Sequence, residues 1–189
     1  MKKQTKTTII IAIVLIAAIY AVFYIKIRTG VLDNIQYKDA ILLYSKEYNV
    51  DPLLIEAIMK RESNMKPSAV SAKGAIGLMQ IMPKTGRDIA LQLNVKDFSE
   101  DMLKDPDTNI KFGTFYTGKL LAYYKNNLVF ALSAYNAGIG NVDSWIASSS
   151  DTVKIPFKDT KRHVKAILFT YSVYKGAERL RHLLKIKTT

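Results

Sequence analysis

The sequence predicts an all-α protein, a compact helical domain behind one apolar N-terminal helix. Three observations carry this. Apolar residues recur at helical spacing along most of the chain. An aspartate followed by proline marks a helix start twice, at Asp51-Pro52 and Asp105-Pro106. No stretch alternates apolar and polar residues as a half-buried strand would, and no repeat points to a solenoid.

Residues 1–8 are a short basic segment containing Lys2, Lys3 and Lys6, and residues 9–25 then run without a charge, Gly or Pro. At about 1.5 Å per residue such a run is just long enough to cross the hydrocarbon core of a bilayer. Tyr20 and Tyr24 stand where an interfacial aromatic belt belongs, and Lys26 and Arg28 follow. No convincing Ala-x-Ala type site follows the run, so an uncleaved transmembrane anchor is preferred to a cleaved signal or a buried core helix. The basic residues before the span favour a cytoplasmic N-terminus, which puts the rest of a single-pass cell-membrane protein outside the cytoplasm.

The chain carries 28 Lys and Arg against 16 Asp and Glu, a formal net charge of +12, with two histidines and no cysteine. An outward-facing basic domain is drawn to anionic wall polymers and lipid headgroups. The cations are scattered rather than arrayed on one helix face or interleaved with a stacking motif, which argues against nucleic acid as a partner. Without cysteine the outer domain stands on its hydrophobic core, and thiolate zinc sites are excluded. With only His163 and His182, neither a catalytic metal nor a cofactor is expected.

After a linker over residues 26–35, Lys38–Tyr48 reads as a short helix. The helix opened by Asp51-Pro52 carries Leu54, Ile55, Ile58 and Met59, and Glu62 falls on the same face near its end. A carboxylate there loses solvation and feels the negative end of the helix dipole, and both effects favour the protonated acid. Ordinary helix-end solvation is the competing reading. Glu56, four residues before Lys60, reads instead as half of a surface pair.

Residues 71–77 hold too many small residues for a helix interior and predict a tight loop. Gln80, set among Leu78, Met79, Ile81 and Met82, must be hydrogen-bonded to the chain or to a ligand if buried. The two methionines are core filler or site wall. Thr85 is the expected cap of a helix through Leu93. A long helix follows Asp105-Pro106, with Gly113 and Gly118 where another helix is expected to cross closely. Asn127 starts a further helix ended by Gly138 and Gly140, and Val142–Ile146 makes a turn or two. Thr160 caps a final helix through Tyr174, and residues 177–189 read as a basic surface tail.

Taken together, these pieces resemble the soluble lytic transglycosylase family, the goose-lysozyme-like branch of the lysozyme superfamily. The resemblance covers about residues 36–176 and rests on three motifs in order. The first is Glu62-Ser63 with Pro67, Ala69, Ser71 and then GAIGLMQIMPKT at 74–85; the second is AYNAGIGNV at 134–142. In the third the family shows Glu-Thr and then Tyr-Val, where this chain has Asp159-Thr160 and His163-Val164.

The resemblance implies a lysozyme-like helical domain with Glu62 as its single catalytic acid. It also implies that Ser71, Met79, Gln80, Met82, Tyr135 and Asn136 line the groove and hold the N-acetylated sugar and the carboxylate. The implied partner is the glycan strand of peptidoglycan. The implied reaction breaks the β-1,4 bond between N-acetylmuramic acid and N-acetylglucosamine without adding water. Glycosidic cleavage ordinarily takes two carboxylates, and here one acidic residue sits in such an apolar setting. The second nucleophile then comes from the substrate, whose 6-hydroxyl closes a 1,6-anhydro ring. A hydrolase on the same fold and a glycan-binding module without activity are the rival readings. A monomer is assumed, with cell-wall or secretion machinery as further partners to consider.

Overall fold

The computed structural model describes residues 10–17, 36–148 and 155–183. It divides into one compact unit, Tyr37–Ser172, and a second made of Met1–Gln36 with Val173–Thr189. In the second unit residues 10–17 are helical and exposed. Among the described residues no helix is long and apolar enough to cross a membrane. The rest of the expected span, residue 9 and residues 18–25, lies outside the described residues, as do residues 1–8, the linker 26–35 and the end of the expected tail.

The described elements are helical: α1 (Lys38–Glu47), α2 (Pro52–Ser63), α3 (Pro83–Gln92), a 3-10 turn (Glu100–Lys104), α4 (Pro106–Tyr123), α5 (Leu128–Ala137), α6 (Ile139–Ala147) and α7 (Lys158–Leu183). Residues of α7 up to Ser172 belong to the compact unit. Pairing of the strand type among the described residues is limited to isolated bridges from Ile76 to Val70 and to Ile81.

The helix starts show which local signals decided the fold. Asp51 accepts from the Leu53 amide at 2.9 Å, Asp105 from the Thr108 amide at 2.8 Å, and Asn127 from the Phe130 amide at 3.1 Å. Each satisfies an amide that its helix leaves unpaired. In α3, however, Pro83 and not Thr85 sets the start, because its fixed φ is already helical at the first position. Gly138, at φ 88°, ends α5, but Gly140 lies inside α6. The last helix starts before Thr160 and runs past Lys175 to Leu183, where Arg181 pairs with Glu178 at 2.8 Å one turn away.

The core is built around α2, in which Leu53, Leu54, Ile55, Ala57, Ile58 and Met59 are all buried. Glu56 is buried as well, at 7% exposure, contrary to its expected place in a surface pair with Lys60. A helix enclosed on most of its circumference has no wet face for a carboxylate to occupy. The close approaches at Gly113 and Gly118 also differ from expectation. A Cβ on Gly113 would lie 2.2 Å from the Met79 sulfur, and one on Gly118 would lie 2.8 Å from the Tyr48 carbonyl oxygen. A loop and a turn press on α4 there, rather than a crossing helix.

That loop carries the residues between α2 and α3, and α4 clamps it from below. Asn109, fully buried, accepts from the Met79 amide at 2.7 Å and donates to the carbonyls of Ile76 at 2.9 Å and Leu103 at 2.7 Å. Gly77 has φ +82°, and any Cβ there would collide with the Asn109 amide, so only glycine fits. Replacing Asn109 with leucine, of similar size, strands three buried backbone groups at about 1–3 kcal/mol each. We expect Asn109→Leu to lose roughly 3 kcal/mol or more in denaturant unfolding; a loss below about 1 kcal/mol would show that the clamp is dispensable.

Tyrosine–aspartate bonds tie separate elements together, and three of them involve part-buried phenols. Tyr44 of α1 donates to Asp107 of α4, Tyr124 after α4 to Asp143 of α6 at 2.9 Å, and Tyr171 of α7 to Asp51 at 2.9 Å. Burial, then the aspartate that accepts the bond, pushes all three phenols above their ordinary range, Tyr171 to about 12. A raised phenol binds its proton more tightly in the folded state, so its contribution is complete below the unfolded value of about 10 and fades above it. Unfolding free energy measured in denaturant is therefore expected to fall progressively from pH 10 to 12. Tyr171→Phe should make that fall shallower, and an unchanged slope would contradict the linkage.

Candidate functional site

Glu62 occupies the last turn of α2, which closes at Asn64 in the left-handed conformation (φ 53°). Its Oε1 lies 3.0 Å from Nε2 of His163, which α7 brings from 101 residues away. The carboxylate is 13% exposed and the imidazole 10%, so the pair has left bulk water while keeping a hydrogen bond. The Tyr135 phenol is held well above its ordinary range, first by burial and then by the negative charge of Glu62, which places the two side chains in one electrostatic neighbourhood.

The loop between α2 and α3 is closed by its own polar groups. Ser71 accepts from the Ala75 amide through its hydroxyl at 2.9 Å, and its own amide donates to the Ala75 carbonyl at 2.9 Å. Gln80, at φ 49°, donates through Nε2 to the carbonyls of Gly77 at 2.9 Å and Ala69 at 3.1 Å. Its amide group is thus bonded to the chain. Tyr135 of α5 donates to the Met79 carbonyl at 2.7 Å, joining the loop to the second motif.

Two cavities meet at Asn136. The smaller, about 180 Å³, is lined by Gln80, Met82, Tyr116 and Tyr135 among others, and among the described residues no charged side chain faces it. The larger, about 560 Å³, is lined by Arg61, Lys73, Asp159, Arg162 and His163 among others. Thr160, buried in the first turn of α7, donates to the Asn136 side chain at 2.9 Å and fixes it between the two.

The residues singled out in the sequence therefore fall into three groups. Gln80, Met82, Tyr135 and Asn136 line a cavity. Glu62 stands behind His163, which lines the larger one. Ser71 and Met79 line neither: Ser71 is tied into the loop, and the Met79 side chain is fully buried against Gly113. Met79 is core through its side chain and reaches the site only through its backbone. Met82, 42% exposed, is the methionine that forms wall.

Sequence reasoning missed Asn109, Thr160, Tyr116 and the partner of Glu62. Asn109 had a signal, a polar amide on the buried face of α4. Asp159 is turned outward to Arg162, at 3.7 Å and 93% exposure, while His163 points in at the acid. Among the described residues no group of three or more His, Asp or Glu side chains is arranged to hold a metal ion.

Known proteins match most of this chain. The family described as Transglycosylase SLT domain matches residues 39–157. The soluble lytic murein transglycosylase of Escherichia coli strain K12 is 34% identical over 146 residues, which is 73% of this chain and 22% of that protein. The membrane-bound lytic murein transglycosylase C of Edwardsiella ictaluri is 37% identical over 116 residues, 57% of this chain and 32% of its own length. Among solved structures, an inactive Glu-to-Gln mutant of the lytic transglycosylase Slt from Pseudomonas aeruginosa superposes with a TM-score of 0.69 at 28% identity, over 75% of this chain and 24% of that one. The chain thus spans about a quarter to a third of the length of these relatives. By its sequence motifs and its all-helical, lysozyme-like fold, the chain belongs to the transglycosylase SLT domain family.

Proposed function

We propose that this protein is a peptidoglycan lytic transglycosylase. It cleaves the β-1,4 bond between N-acetylmuramic acid and N-acetylglucosamine and closes a 1,6-anhydromuramic product. The observation that carries the reading is the Glu62–His163 pair, a carboxylate withdrawn from water behind the imidazole that lines the larger cavity, in a domain of this family. Relatives named lytic murein transglycosylases, one with an inactive Glu-to-Gln mutant, support it.

Glu62 acts first as acid, protonating the bridging oxygen as the bond from C1 breaks. It then acts as base, taking the proton of the 6-hydroxyl as that oxygen bonds to C1. Protons balance within one cycle, and no water enters. His163, with its Nε2 protonated, donates to Oε1 and leaves Oε2 as the oxygen that exchanges protons with substrate. Asp159, the one acidic side chain lining either cavity among the described residues, is exposed and engaged by Arg162, which supports a mechanism with a single carboxylate. Gln80, Tyr135 and Asn136 orient the N-acetylated sugar, Met82 gives an apolar wall, and Ser71 and Met79 hold the loop that presents them. Residues 9–25 anchor the protein with residues 36–176 outside the cytoplasm. The length and apolarity of that run support the anchor, as does a relative whose name marks it membrane-bound.

Mass spectrometry of digested peptidoglycan tests the reaction. The full chain should release ends carrying 1,6-anhydromuramic acid, and Glu62→Gln should reduce the rate by at least about a hundredfold. Reducing ends with an added water would identify a hydrolase instead. Release of neither, with glycan binding retained, would identify a binding module.

His163→Leu is expected to lower kcat by about ten- to a hundredfold with little change in KM. His163→Gln, whose amide can still donate to Oε1, should recover a substantial part of that loss. Equal losses in both variants would remove the hydrogen bond from the mechanism.

A further inference from the structure

The chain has no cysteine and six methionines, so its thioethers are the groups that a peroxide oxidises first. Folding sorts those sulfurs sharply. Met59 and Met79 are fully buried, and Met65 and Met102 are half-buried and line neither cavity. Met82, at 42%, is the one methionine among the described residues that is exposed. It lines the smaller cavity beside Gln80, Tyr116 and Tyr135. Two methionines of one motif are thus split, position 79 sealed against Gly113 and position 82 open. Pro83 is the local cause. It holds Met82 in extended backbone, φ −69° and ψ 140°, where the chain leaves the loop and enters α3.

We propose, resting on the transglycosylase reading above, that Met82 is a reversible oxidation site through which hydroperoxides turn the enzyme down. The O–O bond of hydrogen peroxide breaks, one oxygen bonds to the Met82 sulfur, and the other leaves as water. The sulfur loses two electrons and the peroxide gains them. The resulting sulfoxide puts a strong dipole on a wall that is otherwise apolar. Once a sugar covers it, the new oxygen needs a donor. Two donors lining the same cavity are already committed: Gln80 Nε2 donates to the carbonyls of Ala69 and Gly77, and the Tyr135 hydroxyl donates to that of Met79. Oxidised Met82 therefore competes for those bonds or turns to water and takes the wall with it. Both outcomes weaken sugar binding, and neither involves the Glu62–His163 pair, which does not line this cavity. A methionine sulfoxide reductase returns the thioether, the oxygen leaving as water while two thiols of the reductant join as a disulfide.

The test treats the full chain with hydrogen peroxide, locates the added oxygen by peptide mass spectrometry and follows release of anhydro-muropeptides. As the Met82 sulfoxide accumulates, KM should rise by about five- to twentyfold while kcat stays within about twofold. Sulfoxide reductases for both epimers, supplied with dithiothreitol, should restore the original KM. Met82→Leu is compared with itself before treatment, and its KM should not move when peroxide is added. Met65→Leu and Met102→Leu should respond as the unaltered chain does. In Glu62→Gln, which turns over slowly, bound glycan strands should slow oxidation at Met82 and leave that at Met65 unchanged. An equal rise of KM in Met82→Leu, full oxidation of Met82 without a rise, or a rise that persists once the sulfoxide is reduced overturns the switch, while anhydro products from the untreated chain keep the transglycosylase reading. Oxidation of Met82 at the same rate with and without glycan overturns it as well. Absence of anhydro products before treatment overturns the parent reading and the switch with it.

Discussion

A carboxylate taken out of water needs a partner, and in this domain that partner comes from the far end of the compact unit. Glu62 ends α2, and the bond to His163 ties it to α7. The same requirement governs its surroundings. The Met79 carbonyl is satisfied by Tyr135, the Met79 amide by Asn109, and the Asn136 side chain by Thr160. These partners come from α4, α5 and α7, so the site exists only when the helices are assembled. Leaving any one of these groups unpaired costs more than its bond contributes, and that asymmetry gives the arrangement its stiffness.

Much of the fold was legible because its signals are local. A short polar side chain before proline needs only its own helix to act, and Asp51 and Asp105 cap as expected. Asn127 does the same without a proline. What failed depended on tertiary surroundings. Glu56 looked like surface because its spacing to Lys60 suits a wet face, but the spacing is silent about how many sides of α2 are covered. Gly113 signalled a close approach without naming the visitor, a methionine side chain from a loop.

The site divides along the same line. Gln80, Met82, Tyr135 and Asn136 stand in recognisable motifs, and all face a cavity. Met79 stands in the same motif, yet its side chain belongs to the core and only its backbone reaches Tyr135. A motif preserves position without saying whether main chain or side chain does the work there. His163 was visible as a departure from the third motif. That it touches Glu62 is a fact about two residues 101 apart, and no local pattern encodes it.

The two bonds between α2 and α7 have a geometric consequence. Tyr171 reaches Asp51 at the start of α2, and His163 reaches Glu62 at its end, so the helices run antiparallel with two rungs between them. The rungs are eleven residues apart on one helix and eight on the other, about 16 Å and 12 Å of rise. Two rungs fix what one cannot. A slip of α7 by a single turn, about 5.4 Å, breaks both together. The aim of the acid and the capping of its helix are therefore set by one alignment, as two pins hold a part where one would let it turn.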